Sequence, residues 1–403
     1  MISYKTQDGH CDNVNRKGIG EHCFGDFYYG FFFANSDNPY TTSYFNPYPP
    51  FALLLLKPFI YLNTLTPGKS ISLILYLVIN LMCAVIAVAI LTRNIQPPTR
   101  ILIFSVLFFS APLIVAFDRG NNIVYLFLLL TLFLDSTSKG RSTSAILIGT
   151  IMTLLKPQMF LLCLVYLRRD TRKVFLKYFT TCLSAFFASF LLFPKSFPGN
   201  IKSWFEASNE YQDYGGTSIV PVNISLSNSV GILRTFVNYL FSGKMEIFSL
   251  SRTSNIILMC GLIFLVVSIF LLRRNISHNF VERSFLIVVL IILAPGTTFH
   301  YYYLLLIPFA KYFLDEFHND NQRANFMKPN EVSSIKSLFQ ILLLLIIPCW
   351  AIPAKLIFVG SFDSAISLHW QVANFTMVLM FIYLLIGSRQ SKVGSRHIVA
   401  NVD

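Results

Sequence analysis

"ISLILYLVINLMCAVIAVAILT", residues 71–92, is a run of 22 residues without a charge. Coiled as an α-helix it is about 33 Å long, enough to cross a hydrocarbon layer of roughly 30 Å. Runs of the same kind recur along the chain, at 51–66, 101–117, 122–135, 143–167, 174–193, 254–272, 284–295, 301–316, 337–355 and 370–386. They are continuously apolar, unlike the alternating segments of about ten residues that build a membrane barrel. Composition agrees: 54% of residues are hydrophobic and 13% charged, with a mean hydropathy of +0.60. A water-soluble core of this size cannot be built from that mixture. The expected fold is all-α, a polytopic transmembrane bundle of about eleven spans. The runs at 122–135 and 284–295 are shorter than a usual span.

Basic residues set the expected orientation, because Lys and Arg concentrate in cytoplasmic loops. The clearest cluster is Arg168, Arg169, Arg172, Lys173 and Lys177, followed by Arg273, Arg274 and Arg283, then Arg389, Lys392 and Arg396. Counting single crossings from these gives an outer N-terminal segment 1–50 and a transmembrane core 51–193. A large outer loop 194–253, a second transmembrane part 254–388 and a cytoplasmic tail 389–403 follow. Two loops disobey, since Arg93 with Arg100 and Lys139 with Arg141 fall on the outside, and the count puts Arg119 on the inside. Eleven spans also leave the N-terminus outside with no apolar leader in residues 1–24, so a twelfth helix upstream is expected. The net charge of +13 is absorbed by inner loops beside anionic lipid and implies no nucleic acid.

Five of the seven cysteines lie in apolar runs, where a thiol is a small hydrophobe. Cys11 and Cys23 each follow a histidine and can be drawn as metal ligands, as a disulfide or as two free thiols. Their spacing fits no zinc pattern, and no metal is expected. Without a phosphate-cradling Gly-rich loop or a nucleophile–base set in a soluble domain, soluble nucleotide-dependent chemistry is not supported.

Chemistry points instead to the ends of spans. In "GDFYYGFFFANSDNPYTTSYFNPYPPF", residues 25–51, Asp26 sits among aromatic residues just before an apolar run. Partial desolvation raises a carboxylate's proton affinity and suits a general base, while a helix cap is the plainer alternative. Lys156, in mid-run, should face a cavity or an anion such as phosphate, unless it snorkels or pairs. Arg119 suits a phosphate or a simple pair with Asp118. His300, beside three tyrosines, suits a sugar or phosphate oxygen or belongs to an interfacial aromatic belt. In "SWFEASNEYQDYGG", residues 203–216, Trp204 and Tyr211 stand among acidic residues, a mixture suited to carbohydrate.

Asp26, "NPY" at 38–40 and "YPP" at 48–50 resemble the first outer loop of glycosyltransferase family 87, membrane enzymes of the GT-C class. In the same order, "DRGNNIVYLFLLL" (118–130) resembles the family's Arg-Gly-Gln step, with Asn121 in place of glutamine. "LLKPQMFLLCLVYLRRD" (154–170) is similar to its Lys-Pro motif, "VNISLSN" (222–228) to its Asn-x-Ser-Leu element, and "APGTTFHYYYLLLIPF" (294–309) to its late histidine segment. The resemblance implies a GT-C bundle with one large outer loop. It implies transfer of a sugar (mannose, another hexose or arabinofuranose) from a polyprenyl-phosphate carrier to a glycolipid or cell-wall glycan, at the outer face of the plasma membrane. No cofactor is implied, and the partners are the donor, the acceptor and membrane lipids. Asp26 takes the place of the catalytic base, with Tyr40, Tyr48, Arg119, Asn121, Lys156, Asn223 and His300 as substrate-binding residues. A lipid-glycan flippase or transporter is the alternative reading, and a noncatalytic membrane partner is the third.

Overall fold

The computed structural model describes residues 24–216 apart from 37, 41–45, 66–68, 94–99, 102–103, 106–107, 109, 168–169 and 194–195. It also describes scattered positions within 225–263, and 280–309 apart from 294 and 296–299. All regular structure among the described residues is helical. The helices are α1 (Gly25–Asn35), α2 (Pro50–Leu54), α3 (Lys57–Leu65), α4 (Lys69–Thr92), α5 (Ala111–Arg119), α6 (Ile123–Ser138), α7 (Ser142–Leu155), α8 (Arg172–Ser189), α9 (Phe197–Gly216) and α10 (Phe280–Leu293). The 3-10 helices include Pro157–Tyr166 and His300–Leu306. The expected spans at 337–355 and 370–386, and most of 254–272, lie outside the described residues.

Two helical stretches, Ile71–Thr92 and Arg172–Leu192, are long and apolar enough to cross a bilayer. The side of α4 bearing Ile71, Ile74, Val78, Met82 and Val85 is exposed, while Ala84, Ala87 and Val88 are fully buried where α4 packs along α6. Small residues at that seam let the two backbones approach closely.

Contacts at the helix ends define two poles of the bundle. At one pole Asp135, near the end of α6, pairs with Arg93 at 2.9 Å and Lys139 at 2.6 Å. Arg100 donates to the carbonyl oxygens of Thr92 and Arg93, and Tyr166 meets Thr137 through their hydroxyls at 2.8 Å. Phe280, at the start of α10, packs on Phe133 and Tyr166. At the other pole α1 meets the Asp118–Asn121 turn, with the Phe24 amide donating to the Asp118 carbonyl at 2.8 Å.

Two of the expected spans are built otherwise than as single straight helices. The run 51–66 is not one straight helix: it is split into α2 and α3, and α3, nine residues or about 14 Å long, packs against α1 and the first turns of α4. The run 143–167 is not one crossing but a hairpin, because α7 ends at Leu155 and the chain returns as the 3-10 helix Pro157–Tyr166. Pro157 removes a backbone donor and disfavours helical geometry at the residue before it. Lys156 is extended there, with φ −143° and ψ 105°. With both changes Arg93, Arg100, Lys139, Arg141 and Arg172 gather at one pole, and Arg119 moves to the pole of Asp26. The two loops that disobeyed the charge rule are thereby reconciled with the Arg172–Lys177 cluster.

Gly149 permits the closest crossing in the core. A Cβ there would overlap the Tyr178 hydroxyl of α8, and Tyr178 is fully buried. Gly149→Ala is therefore expected to destabilise the bundle by about 1–3 kcal/mol, read as a lowered Tm of the detergent-solubilised protein. Single cysteines at Arg93, Lys139 and Arg172 should react with an impermeant maleimide from one side of sealed membranes, and one at Lys202 from the opposite side. Labelling of Arg93 and Lys202 from the same side would overturn the arrangement of poles.

Candidate active site

Two residues in the left-handed region fasten α1 to the rest. Gly120 (φ 63°) ends α5, and Phe24 (φ 61°) precedes α1. For phenylalanine this conformation costs about 1–2 kcal/mol. A Cβ on Gly120 would lie 2.8 Å from the Cβ of Phe27, so glycine serves both the turn and the close approach. Tyr76 of α4 closes the joint, donating its hydroxyl to the Gly120 carbonyl at 3.0 Å while its ring packs 4.7 Å from that of Phe27.

The joint sets Asp26 against Arg119. Arg119 Nε donates to Asp26 Oδ2 and its terminal nitrogen donates to Oδ1, each at 2.9 Å, a two-pronged fit between guanidinium and carboxylate. Asn121 Nδ2 donates to Oδ2 at 2.6 Å, and its own Oδ1 accepts from the Ile123 amide at 2.9 Å. Both ends of Asn121 are thus committed, one to Asp26 and one to the start of α6. Side-chain exposure is 12% for Asp26 and 20% for Arg119. Burial pushes the carboxyl up. The Arg119 charge, the hydrogen bonds from Arg119 and Asn121, and the charge of Lys156 together outweigh burial and hold it below its ordinary 3.8. The sequence-based expectation of raised proton affinity is therefore reversed, because it counted desolvation without the cation.

Lys156, at the break of the α7 hairpin, completes the cluster. Its Nζ lies 5.6 Å from the centre of the Tyr48 ring and 5.7 Å from that of Tyr302. Among the described residues the ammonium has these ring contacts and no hydrogen bond or ion pair. Arg119 lies 5.8 Å from the Tyr301 ring, and Tyr301 stacks on Tyr302 at 5.5 Å. One 3-10 helix, His300–Leu306, thus seats both cations on adjacent rings. Gln158 fixes Tyr302 by donating to its hydroxyl at 3.0 Å.

The segment before α2 is knit by its own side chains. Asn46 bonds the Pro39 carbonyl and the Tyr48 amide, each at 3.0 Å. Tyr40 donates to the Tyr48 carbonyl at 3.1 Å, and Trp204 of α9 donates to the Pro47 carbonyl at 3.4 Å. Tyr40 is buried against Phe193, so the structure sets it behind Tyr48 as a support rather than against Asp26. The first part of the expected outer loop is the helix α9, whose Tyr211 faces the cluster: burial and then the Asp26 carboxylate push its hydroxyl pKa up.

Beside Asp26 lies a cavity of about 600 Å³, within the usual range for small-ligand sites. Its walls are almost wholly apolar: Phe51, Leu55, Leu56, Pro58 and Phe59 on one side, Tyr76, Ile79 and Cys83 of α4, Leu128 and Leu129 of α6, and Ile151 and Leu155 of α7. The span from Tyr76 to Cys83 carries it about 10 Å along α4 toward the basic pole. The Asn122 side-chain oxygen, of a residue lining the cavity, is buried without a hydrogen-bond partner among the described residues.

Of the residues expected from sequence, Asp26, Arg119, Asn121, Lys156 and Tyr48 come together. Asn223 and the His300 side chain lie outside the described residues. Tyr76, Gln158, Asn46 and Tyr302 were not expected, as single aromatics and amides in apolar or loop context carry no distinguishing sequence signal. No curated protein and no solved structure matches the chain. The profile of glycosyltransferase family 87 matches residues 45–295, which takes in Tyr48, Arg119, Asn121 and Lys156 and leaves Asp26 and His300 outside. That match covers more than half of the chain, which belongs to glycosyltransferase family 87 and is a membrane glycosyltransferase.

Proposed function

We propose that the enzyme transfers a hexose or pentose from a polyprenyl-phosphate carrier to a lipid-linked or cell-envelope glycan, at the outer face of the plasma membrane. One observation carries this reading: Asp26 and Tyr48 line an apolar cavity, and two cations stand against them, Arg119 on the carboxylate and Lys156 on the ring. The cavity suits a hydrocarbon chain and offers a sugar almost nothing to bond. Arg119 and Lys156 suit the phosphate that follows such a chain, and Asp26 suits an acceptor hydroxyl. The basic pole belongs in the cytoplasm by the charge rule, which supports an outer location for the site.

The reaction is a direct displacement. Asp26 takes the proton of the acceptor hydroxyl as that oxygen bonds to the anomeric carbon. The bond from the anomeric carbon to the phosphate oxygen breaks, its electron pair leaving with the phosphate, whose growing charge Arg119 and Lys156 stabilise. Phosphate is already a good leaving group, and the step needs no second acid.

Asp26→Asn keeps shape and loses basicity, so transfer from a labelled polyprenyl-phosphate sugar should fall by about 100-fold or more at equal protein level. Asp135→Asn, at the basic pole, should retain near wild-type turnover, since its ion pairs are solvent-exposed and weak. Near wild-type transfer by Asp26→Asn would remove the base assignment. Lys156→Ala should lower kcat/KM for the donor by about 10–100-fold. No transfer from any of a panel of such donors would favour a transporter.

A further inference from the structure

We infer that Arg119 is a shared cation: its fork holds the Asp26 carboxylate occupied, and the carrier's phosphate takes it over, freeing the carboxylate to serve as base. The inference rests on the proposed function above and concerns how the site is switched on.

Asp26 as it stands is poorly placed to accept a proton. A carboxylate offers about four lone-pair positions, and three are filled by the two nitrogens of Arg119 and by Asn121. The same contacts depress its basicity. One position stays open to a hydroxyl, but a carboxylate whose charge is shared among three donors becomes a stronger base only when a donor leaves it. Asn121 is the less available, since its other end is tied to the start of α6.

Arg119 is the one with somewhere to go. It keeps its charge in any setting, and its planar fork fits a phosphate as well as a carboxylate. The Tyr301 ring at 5.8 Å gives the guanidinium a second support while its nitrogens turn. The neighbouring Tyr302 carries Lys156, so a phosphate bridging the two cations would sit across the Tyr301–Tyr302 stack. Charge balance agrees: Asp26, Arg119 and Lys156 sum to +1, which one phosphodiester monoanion cancels. As the anomeric bond breaks the phosphate gains charge and its claim on Arg119 strengthens, while Asp26, taking up a proton, loses its own. Movement of the guanidinium thus follows the direction of the reaction. Asn121 stays on Oδ2 and keeps the carboxylate oriented. The device also imposes an order, in which the acceptor is activated only after the donor is seated.

The test is binding, with the full chain in nanodiscs and undecaprenyl phosphate as probe, so that turnover is not needed. Asp26→Asn should tighten binding about tenfold, because Arg119 is no longer held. Arg119→Gln should weaken it about tenfold, and adding Asp26→Asn to Arg119→Gln should then change nothing. Undecaprenol, which lacks the phosphate, should bind all four proteins alike. Unchanged or weaker binding by Asp26→Asn overturns the inference. So does tightening of equal size in both backgrounds, which would mean simple repulsion between Asp26 and the probe, and so does a shift seen with undecaprenol as well. Arg119→Lys guards against a folding defect in Arg119→Gln: it keeps the charge without the fork, and Asp26→Asn should still tighten binding in that background. If transfer is lost in Asp26→Asn while binding is unchanged, the base assignment stands and the sharing of Arg119 falls. If binding tightens while transfer survives, Asp26 competes for Arg119 but is not the base, and the inference falls with that assignment.

Discussion

A carboxylate and a guanidinium 93 positions apart in the chain meet through two hydrogen bonds of 2.9 Å, and much of the site-side pole is arranged around that meeting. α1 is short, mostly apolar and without a side-chain cap at its start, so it has little reason to form alone. It is held by the Phe24 amide, by the Phe27 ring against Tyr76, and by the fork between Asp26 and Arg119. Breaking a largely buried pair by removing one partner costs far more than the pair contributes relative to apolar residues. The interaction is better understood as fixing one geometry than as a large source of stability. The left-handed Phe24 belongs to the same account: strain at a joint persists where several other contacts determine it.

The second organising feature is the break at Lys156. A lysine in the middle of an unbroken apolar helix would have to leave its charge in hydrocarbon or snorkel out. Ending α7 at Leu155 and turning the chain back puts the ammonium at the pole, on two tyrosine faces. The return as a ten-residue 3-10 helix is unusual for its length. It packs against α7 and α8, the two helices that interlock at Gly149 and Tyr178.

Helix content and class were legible in the sequence because they follow from apolar runs, which need no knowledge of neighbours. The ends were less legible. A run of 25 residues such as 143–167 reads as one span by hydropathy even though it holds a lysine and a proline. The Lys156-Pro157 pair was the available sign that it folds back, and it was read for chemistry rather than for topology. The basic residues near 93 and 139 carried the same message, since they violate the charge rule only when 51–66 and 143–167 are each counted as one crossing. Asp26, Arg119 and Lys156 could be nominated by type, as rare charges beside apolar runs. Their mutual electrostatics could not be read, because a pKa depends on which cation stands opposite. Asn46 and Gln158, which hold Tyr48 and Tyr302, have nothing in their local sequence to separate them from other amides.

The composition of the cavity wall bears on where affinity for a carrier would come from. A pocket bordered by Ile79, Leu128, Leu129 and Leu155, within reach of a bilayer, has hydrocarbon as its alternative filling rather than water. Moving an isoprenoid chain from lipid into such a space exchanges one oily surrounding for another, so the hydrophobic effect, which needs water to be released, contributes little. Binding on those terms has a small heat-capacity change and depends weakly on chain length. Discrimination then falls to the head of the ligand, and the chain acts as a keel that sets depth and orientation.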